Sequence, residues 1–88
     1  MLTQPINSKI PDTNFQAGDT IKCIEPKSDL YGHKFVIVGF VVEDNDDYAM
    51  IGKLDKGFTK EEIQDNLWSD YDIKVSTLNK YFVKVEGE

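Results

Sequence analysis

The longest apolar run of the chain lies at residues 33–44 (HKFVIVGFVVED) and predicts the central strand of a sheet. Most of its residues are β-branched or aromatic, which favours a strand over a helix. Apolar side chains fall on both faces, and Gly39 stands in the middle of the run. Glycine inside a strand often marks a bulge or a bend. A long strand that bends halfway can contribute to both layers of a small barrel.

An earlier, shorter segment at residues 20–25 alternates enough to predict the first strand. Ile21 and Cys23 share one of its faces, and Pro26 ends it because proline cannot donate a hydrogen bond to a sheet ladder. Beyond the central strand, the pattern predicts an acidic turn at residues 43–47 and a return strand at 48–54. Farther along, it predicts a strand at 70–76, one helical turn at 77–82 and a last strand at 82–86.

A helix start is encoded near residue 60. Thr59 and Glu62 have the spacing of a capping box, in which each side chain satisfies a free backbone N–H group. Phe58 precedes the cap and Ile63 lies at the fourth helical position, which is the spacing of a hydrophobic staple. These signals predict a short helix from residue 60 to residue 67 or 68.

The chain begins with a polar segment that contains two of its three prolines. Residues 1–14 are therefore predicted to form an extended or mobile arm, which Ile6 and Ile10 could pin to the body. Residues 15–88 are predicted to form a single domain. The whole pattern predicts a mostly-β fold of four to five antiparallel strands, with one short α-helix inserted before the last strands.

Three segments carry a resemblance to a known group of proteins. FQAGDTIKCIE, DLYGHKFVIVGFVVEDNDDY and VSTLNKYFVKVE resemble the small SH3-like, KOW-like proteins of bacteriophages and prophages, over about residues 15–85. The shared features are Gly18-Asp19 before the first strand, Gly32 before the second, and Tyr81-Phe82 before the last. The resemblance implies a small SH3-like barrel and a phage or prophage origin, but no particular activity, because such barrels host many functions.

Composition narrows the function classes. The chain has 88 residues with 16 Asp and Glu, 10 Lys and no Arg, for a net charge of −6. The length predicts one domain. The start of the sequence has neither a basic n-region nor an apolar h-region, and no stretch is long and apolar enough to span a bilayer. We therefore expect a cytoplasmic protein (host cytoplasm, if the chain is phage-encoded) with no membrane partner.

Catalytic and metal-binding patterns are weak. Cys23 and His33 are the only residues of their types, but Cys23 is in phase with a predicted core position, where a free cysteine behaves as a small hydrophobe. His33 is predicted to be an exposed loop histidine. The acidic run 43–47 lacks the glycine and the final glutamate of an EF-hand loop. We expect no enzyme activity, no cofactor and no metal ion.

Two binding functions remain as alternatives. A KOW-like nucleic-acid-binding accessory protein would use lysines such as Lys22, Lys27 and Lys34, but the absence of arginine and the acidic balance make nucleic acid an unfavourable partner. Protein binding is favoured instead, and its partner is unidentified. Aromatic residues outside the obvious core positions could form the contact surface, and they are Tyr31, Tyr48, Trp68 and Tyr71.

Trp68 has a second interpretation, in which it covers one end of the barrel beside Leu67. A more specific version of the binding hypothesis is an inhibitor whose acidic surface imitates nucleic acid for a basic partner. The carboxylates assigned to that surface are Glu43, Asp44, Asp46, Asp47, Asp70 and Asp72. The chain itself is expected to be a monomer or a weak homo-oligomer, since a free edge strand can pair with its twin.

Overall fold

The computed structural model describes residues 6–85, which build one antiparallel sheet of five strands in the order β4-β3-β2-β1-β5. The strands are β1 (Thr20–Cys23), β2 (Lys34–Glu43), β3 (Asp46–Lys53), β4 (Tyr71–Lys74) and β5 (Phe82–Lys84). A turn of 3₁₀ helix (Leu54–Lys56) and two α-helices, α1 (Lys60–Asp65) and α2 (Val75–Tyr81), complete the described chain. The mostly-β class and the five antiparallel strands are confirmed.

Two features of the prediction are corrected. There are two α-helices rather than one, because residues 75–81 form nearly two helical turns where a strand end and one turn were expected. Val75 and Leu78 lie three residues apart and are both buried, and a helix places both on one face. The sheet is also open, with β4 and β5 as its outer strands and no pairing between them in the described residues. Closure of a barrel is therefore not shown.

Gly39 predicts a bulge or a bend in β2, and a bulge is found there. The pairing of β2 with β3 shifts register between Ile37 and Gly39. Past this bulge, Asn7 forms an isolated bridge to Phe40, with two backbone hydrogen bonds of 2.8 Å. A Cβ atom at Gly39 would lie 2.3 Å from Cγ2 of Ile6. Glycine at this position thus lets the N-terminal segment approach the sheet closely.

The N-terminal segment also contacts the core and α2. Ile10 is buried in the main hydrophobic cluster, as its predicted pinning role requires. Thr13 Oγ1 hydrogen bonds Asn79 Oδ1 at 2.5 Å, and Asn79 Nδ2 donates to the Asp12 carbonyl at 3.0 Å. These contacts tie residues 10–13 to the body.

Strand β2 is buried on both faces, as its apolar pattern predicts. Phe35 and Ile37 belong to the main cluster, whereas Val36 and Val38 belong to a second, smaller cluster with Ile63 of α1. Full burial of one such side chain stabilises the folded state by roughly 1.5–3 kcal/mol. Helix α1 therefore covers the second face of β2, with Ile63 packed against Val36 and Val38.

Helix α1 starts as predicted and ends earlier than predicted. Glu62 N–H donates to Thr59 Oγ1 at 3.1 Å, and Thr59 N–H donates to Glu62 Oε1 at 2.9 Å, which confirms the capping box. The helix ends at Asp65, not at residue 67 or 68. Leu67 has φ 54°, a left-handed conformation that a helix cannot contain.

The acidic turn between β2 and β3 is confirmed and is narrower than residues 43–47. Only Asp44 and Asn45 lie outside the strands, with φ 53° and 65°. Two consecutive left-handed residues are typical of the type I′ hairpin turn, and Asp and Asn tolerate this conformation. Glu43 ends β2, and Asp46 opens β3. The predicted loop carboxylates are therefore largely strand residues.

Candidate functional site

Three large apolar side chains in the connection from β3 to β4 are exposed to solvent. Phe58, Leu67 and Trp68 are 44%, 50% and 43% exposed, and we call them the apolar patch. The rings of Phe58 and Trp68 contact each other with centroids 4.8 Å apart. With Lys56, Ile63, Ser69 and Asp70 they line an open cleft of about 380 Å³. Single exposed apolar residues are common, whereas a contiguous group is a candidate interaction site.

The backbone that carries Leu67 and Trp68 is fixed by hydrogen bonds at both ends. Trp68 N–H donates to the Ile63 carbonyl at 3.0 Å, and Leu67 N–H donates to the Gln64 carbonyl at 3.2 Å. At the other end, Asp70 N–H donates to the Ile51 carbonyl at 2.8 Å. The 66–70 loop is therefore docked on both α1 and β3.

Close packing against Gly52 reinforces this docking. A Cβ atom at Gly52 would lie 2.5 Å from the Trp68 carbonyl oxygen and 2.6 Å from Ile63 Cγ2. Real Cβ contacts are not this short, so any larger residue would force the loop or α1 to move. The glycine in β3 thus allows the Trp68 backbone to sit directly on the sheet.

Leu67 is the conformational outlier of this loop. Its φ of 54° places it in the left-handed region, where leucine is rare and glycine or asparagine is usual. The side chain is half exposed, so core packing does not explain why a leucine occupies the position. The C-cap of α1 accounts for the backbone conformation, since Trp68 N–H and Leu67 N–H donate to the Ile63 and Gln64 carbonyls, but it favours glycine at this position. An exposed leucine there, next to an exposed tryptophan, points to a role for the side chain itself.

Asp70, one of the predicted partner-binding carboxylates, is engaged within the fold. Its Oδ2 accepts from Lys53 N–H at 2.7 Å, and its Oδ1 is ion-paired with the Lys56 ammonium group. The hydrogen bond from Lys56 and then that from Lys53 N–H lower the pKa of Asp70, against the opposing effect of partial burial. Asp70 therefore holds the 66–70 loop to the end of β3.

The other predicted aromatic residues have different surroundings. Tyr71 lies in β4, is 39% exposed, and meets Phe35 of the core edge-to-face, with centroids 5.9 Å apart and an interplanar angle of 80°. Tyr31 is 55% exposed in the loop between β1 and β2 and has no ring contact in the described part of the chain. Tyr48 is half buried in β3. The structure thus joins Trp68 to Phe58 and Leu67, not to these tyrosines.

The predicted acidic residues form two separate groups. Asp46 lies 3.6 Å from the Lys74 ammonium group, and a hydrogen bond between Asp47 and Asp12 raises the pKa of Asp47. These belong to the β2–β3 hairpin together with Glu43 and Asp44. Asp72 lies in β4, within the strand predicted at residues 70–76, and its Oδ1 accepts from Ser69 Oγ at 3.0 Å.

Cys23 and His33, the remaining candidates for catalysis or metal binding, are engaged in contacts within the fold. Cys23 is buried in the core as predicted. His33 is partly exposed, and its Nδ1 lies 2.8 Å from Asp55 Oδ2, a hydrogen bond that lowers the pKa of Asp55. Within residues 6–85, no group of three or more His, Cys, Asp or Glu side chains could hold a metal ion.

Lysines form a small surface of their own. Lys22 and Lys34 are cross-strand neighbours in β1 and β2. Lys34 also lines a cleft of about 430 Å³ with Thr20 and Lys60. Two of the three lysines considered for nucleic-acid contact are therefore adjacent, whereas Lys27 lies in the following loop.

No protein-family model matches this chain, and no curated protein or solved structure matches it. Among the described residues, no helix has the length and apolar character that a membrane span requires. Function is therefore inferred from the residues and contacts described above.

Two residues of the apolar patch were missed in the sequence. The sequence predicts Phe58 as half of a hydrophobic staple and places Leu67 at the end of the helix. The available signal was a leucine and a tryptophan placed between two acidic segments, directly after a helix whose apolar face Ile63 already supplies. Their convergence with Phe58 depends on the left-handed turn at Leu67, which local pattern does not reveal.

Proposed function

We propose that this chain is a small, non-enzymatic protein-binding module that holds its partner on the apolar patch. The observation that carries the proposal is Leu67, an exposed leucine in a left-handed conformation beside the exposed Trp68. Large aromatic residues, tryptophan above all, supply much of the binding energy in protein interfaces. A patch with this composition is suited to contact another protein.

Preorganisation supports the proposal further. The 66–70 loop is held by backbone hydrogen bonds to Ile63 and Ile51 and by the side chain of Asp70. A surface that is already ordered loses less conformational entropy on binding. Trp68 and Leu67 can therefore contribute contact area without the entropy cost of ordering their backbone on binding.

Two features of the strand layout support the SH3-like barrel that the sequence resemblance implies, although the sheet of the described residues is open. The long strand β2 has a bulge at Gly39, and α2 lies directly before the last strand. We retain the SH3-like assignment and the phage or prophage origin as parts of the proposal. The apolar patch belongs to the helix-containing insertion between β3 and β4, where the sequence departs from the resemblance.

Binding through an acidic, nucleic-acid-mimicking surface has less support. Asp46 and Asp70 are ion-paired with Lys74 and Lys56, which reduces the negative charge they present. The six assigned carboxylates also do not form one surface group. Binding by the apolar patch would weaken less with salt than binding by a mimic, because part of its energy comes from the burial of apolar surface.

A nucleic-acid-binding accessory protein is the alternative, favoured only by the adjacency of Lys22 and Lys34. A gel-shift assay with mixed RNA and DNA at low salt separates the two functions. The protein-binding proposal expects no shift at micromolar protein. A shift that is lost in a Lys22→Ala variant would favour the alternative.

Affinity capture from the cells that produce the protein tests the proposal directly. The baits are the wild type, Trp68→Ala, and Tyr31→Ala as a matched loss of another exposed aromatic residue. We expect a protein captured by the wild type and by Tyr31→Ala but not by Trp68→Ala. Identical capture by all three baits, with circular dichroism showing each to be folded, would overturn the proposal.

A further inference from the structure

We infer that the partner segment held by the apolar patch is short and basic, with one large apolar side chain in the cleft and Lys or Arg beside it. This inference rests on the proposed function and adds the chemistry of the partner. It is argued from the size of the patch and from the charge around it.

The size of the patch indicates a short segment. Phe58, Leu67 and Trp68 are each about half exposed, so together they offer on the order of 250 Å² of apolar side-chain surface. A stable protein–protein interface buries about 800 Å² on each partner. The patch is too small for a permanent dimer of this chain through this surface alone, and the cleft of about 380 Å³ has room for a few side chains.

Charge indicates the composition of the flanking residues. Residues 54–72 contain six carboxylates and two lysines, a net charge of −4 against −6 for the entire chain. One of the two lysines, Lys56, is already paired with Asp70. Most of the excess negative charge of the protein is thus carried by the segment that presents the patch, and it would attract a basic segment.

Two exposed carboxylates flank the 66–70 loop in sequence, Asp65 before it and Asp72 two residues after it. Asp65 ends α1 one residue before the 66–70 loop, and Asp72 accepts from Ser69, which lines the cleft. Both residues are exposed, and neither has an ion-pair partner among residues 6–85. A lysine or arginine on either side of the apolar anchor could pair with Asp65, and with the oxygen of Asp72 that does not accept from Ser69.

The test starts from a library of random short peptides selected on the wild-type protein, with Trp68→Ala used for counter-selection. Enriched peptides are then synthesised, and their dissociation constants are measured at two salt concentrations. The variants compared are the double substitution Asp65→Asn with Asp72→Asn, and the control Glu43→Gln with Asp44→Asn. Both remove two charges, but the control removes them at the hairpin.

We expect enriched peptides with Lys or Arg flanking one large apolar residue, and roughly tenfold weaker binding by the Asp65–Asp72 variant than by the hairpin control. Trp68-dependent peptides that lack basic residues, or equal losses in the two variants, would overturn this inference while leaving the proposed function intact. Failure to obtain any Trp68-dependent peptide would also contradict the inference, and affinity capture then decides the proposed function separately.

Discussion

Two connections of this molecule contain non-glycine residues in the left-handed conformation, and they differ in what those residues are. In the β2–β3 hairpin the residues are Asp44 and Asn45, whereas in the 66–70 loop the residue is Leu67. Asp and Asn adopt this conformation readily in tight turns, so the hairpin is explained by turn chemistry alone. Leucine does not. The left-handed backbone at Leu67 follows from the C-cap of α1, in which Trp68 N–H and Leu67 N–H donate to the Ile63 and Gln64 carbonyls, so only the choice of leucine needs another explanation.

The surroundings of the two connections differ in the same way. The hairpin tip consists of exposed polar residues between two strands. The 66–70 loop is docked against Gly52 and Ile51 and presents Leu67 and Trp68 to solvent. Comparison of the two suggests that unfavourable backbone geometry is a functional signal only where the residue type and its exposure are also unfavourable.

The largest expected effect on stability comes from Gly52→Ala. The added methyl group would clash with the Trp68 carbonyl and with Ile63, so we expect a loss of about 1–3 kcal/mol in the free energy of unfolding. Urea denaturation measures it. Gly57→Ala is the contrasting variant, since nothing lies within 4 Å of its Cβ position and only backbone strain is added there. A neutral Gly52→Ala would show that the loop is not seated on β3.

Asp70→Asn is expected to have the next largest effect and to depend on pH. Lys56 and Lys53 N–H lower the pKa of Asp70 in the folded protein, so its stabilising contribution is present above about pH 3.8 and is lost as the pH falls through the lowered value. We expect Asp70→Asn to cost about 1 kcal/mol at neutral pH. Its difference from the wild type should shrink in acid.

Unfolding at a series of pH values checks this expectation, with Glu43→Gln as the matched loss of a hairpin carboxylate. That control should change stability by less than about 0.5 kcal/mol. A penalty for Asp70→Asn that stays constant down to strong acid would contradict the assigned role of the carboxylate in holding the loop.

The smallest expected effect belongs to the hairpin. Asn45→Gly keeps the left-handed turn and suits the type I′ geometry, so we expect stability to rise by a few tenths of a kcal/mol. Thermal denaturation measures the change, and binding through the apolar patch should be unaffected. A change in partner binding comparable to that of a patch variant would remove the functional contrast between the two connections.

Local signals predicted much of the fold. The bulge at Gly39, the capping box of Thr59 and Glu62, and the hairpin turn all depend on residues close in sequence, and all three are confirmed. The extent of α2 was missed because burial of Val75 outweighs its strand preference. The closed barrel is not shown, because closure depends on contacts between the two outer strands.

The candidate site was only partly predictable for the same reason. Trp68 was singled out by residue type, but its neighbours depend on long-range contacts. Gly52 seats the loop on β3, and Asp70 joins it to Lys53 and Lys56. No spacing rule links residues 52 and 68, so the apolar patch emerges only in the folded chain.

Leu67→Gly tests most directly the claim that Leu67 is kept for its side chain. Glycine accepts the left-handed backbone, so the variant should be about 1 kcal/mol more stable than the wild type, while its binding to the captured partner or selected peptide should weaken severalfold. Urea denaturation and a binding titration on the same sample give both numbers. Higher stability with weaker binding is the predicted result, and unchanged binding would contradict the account.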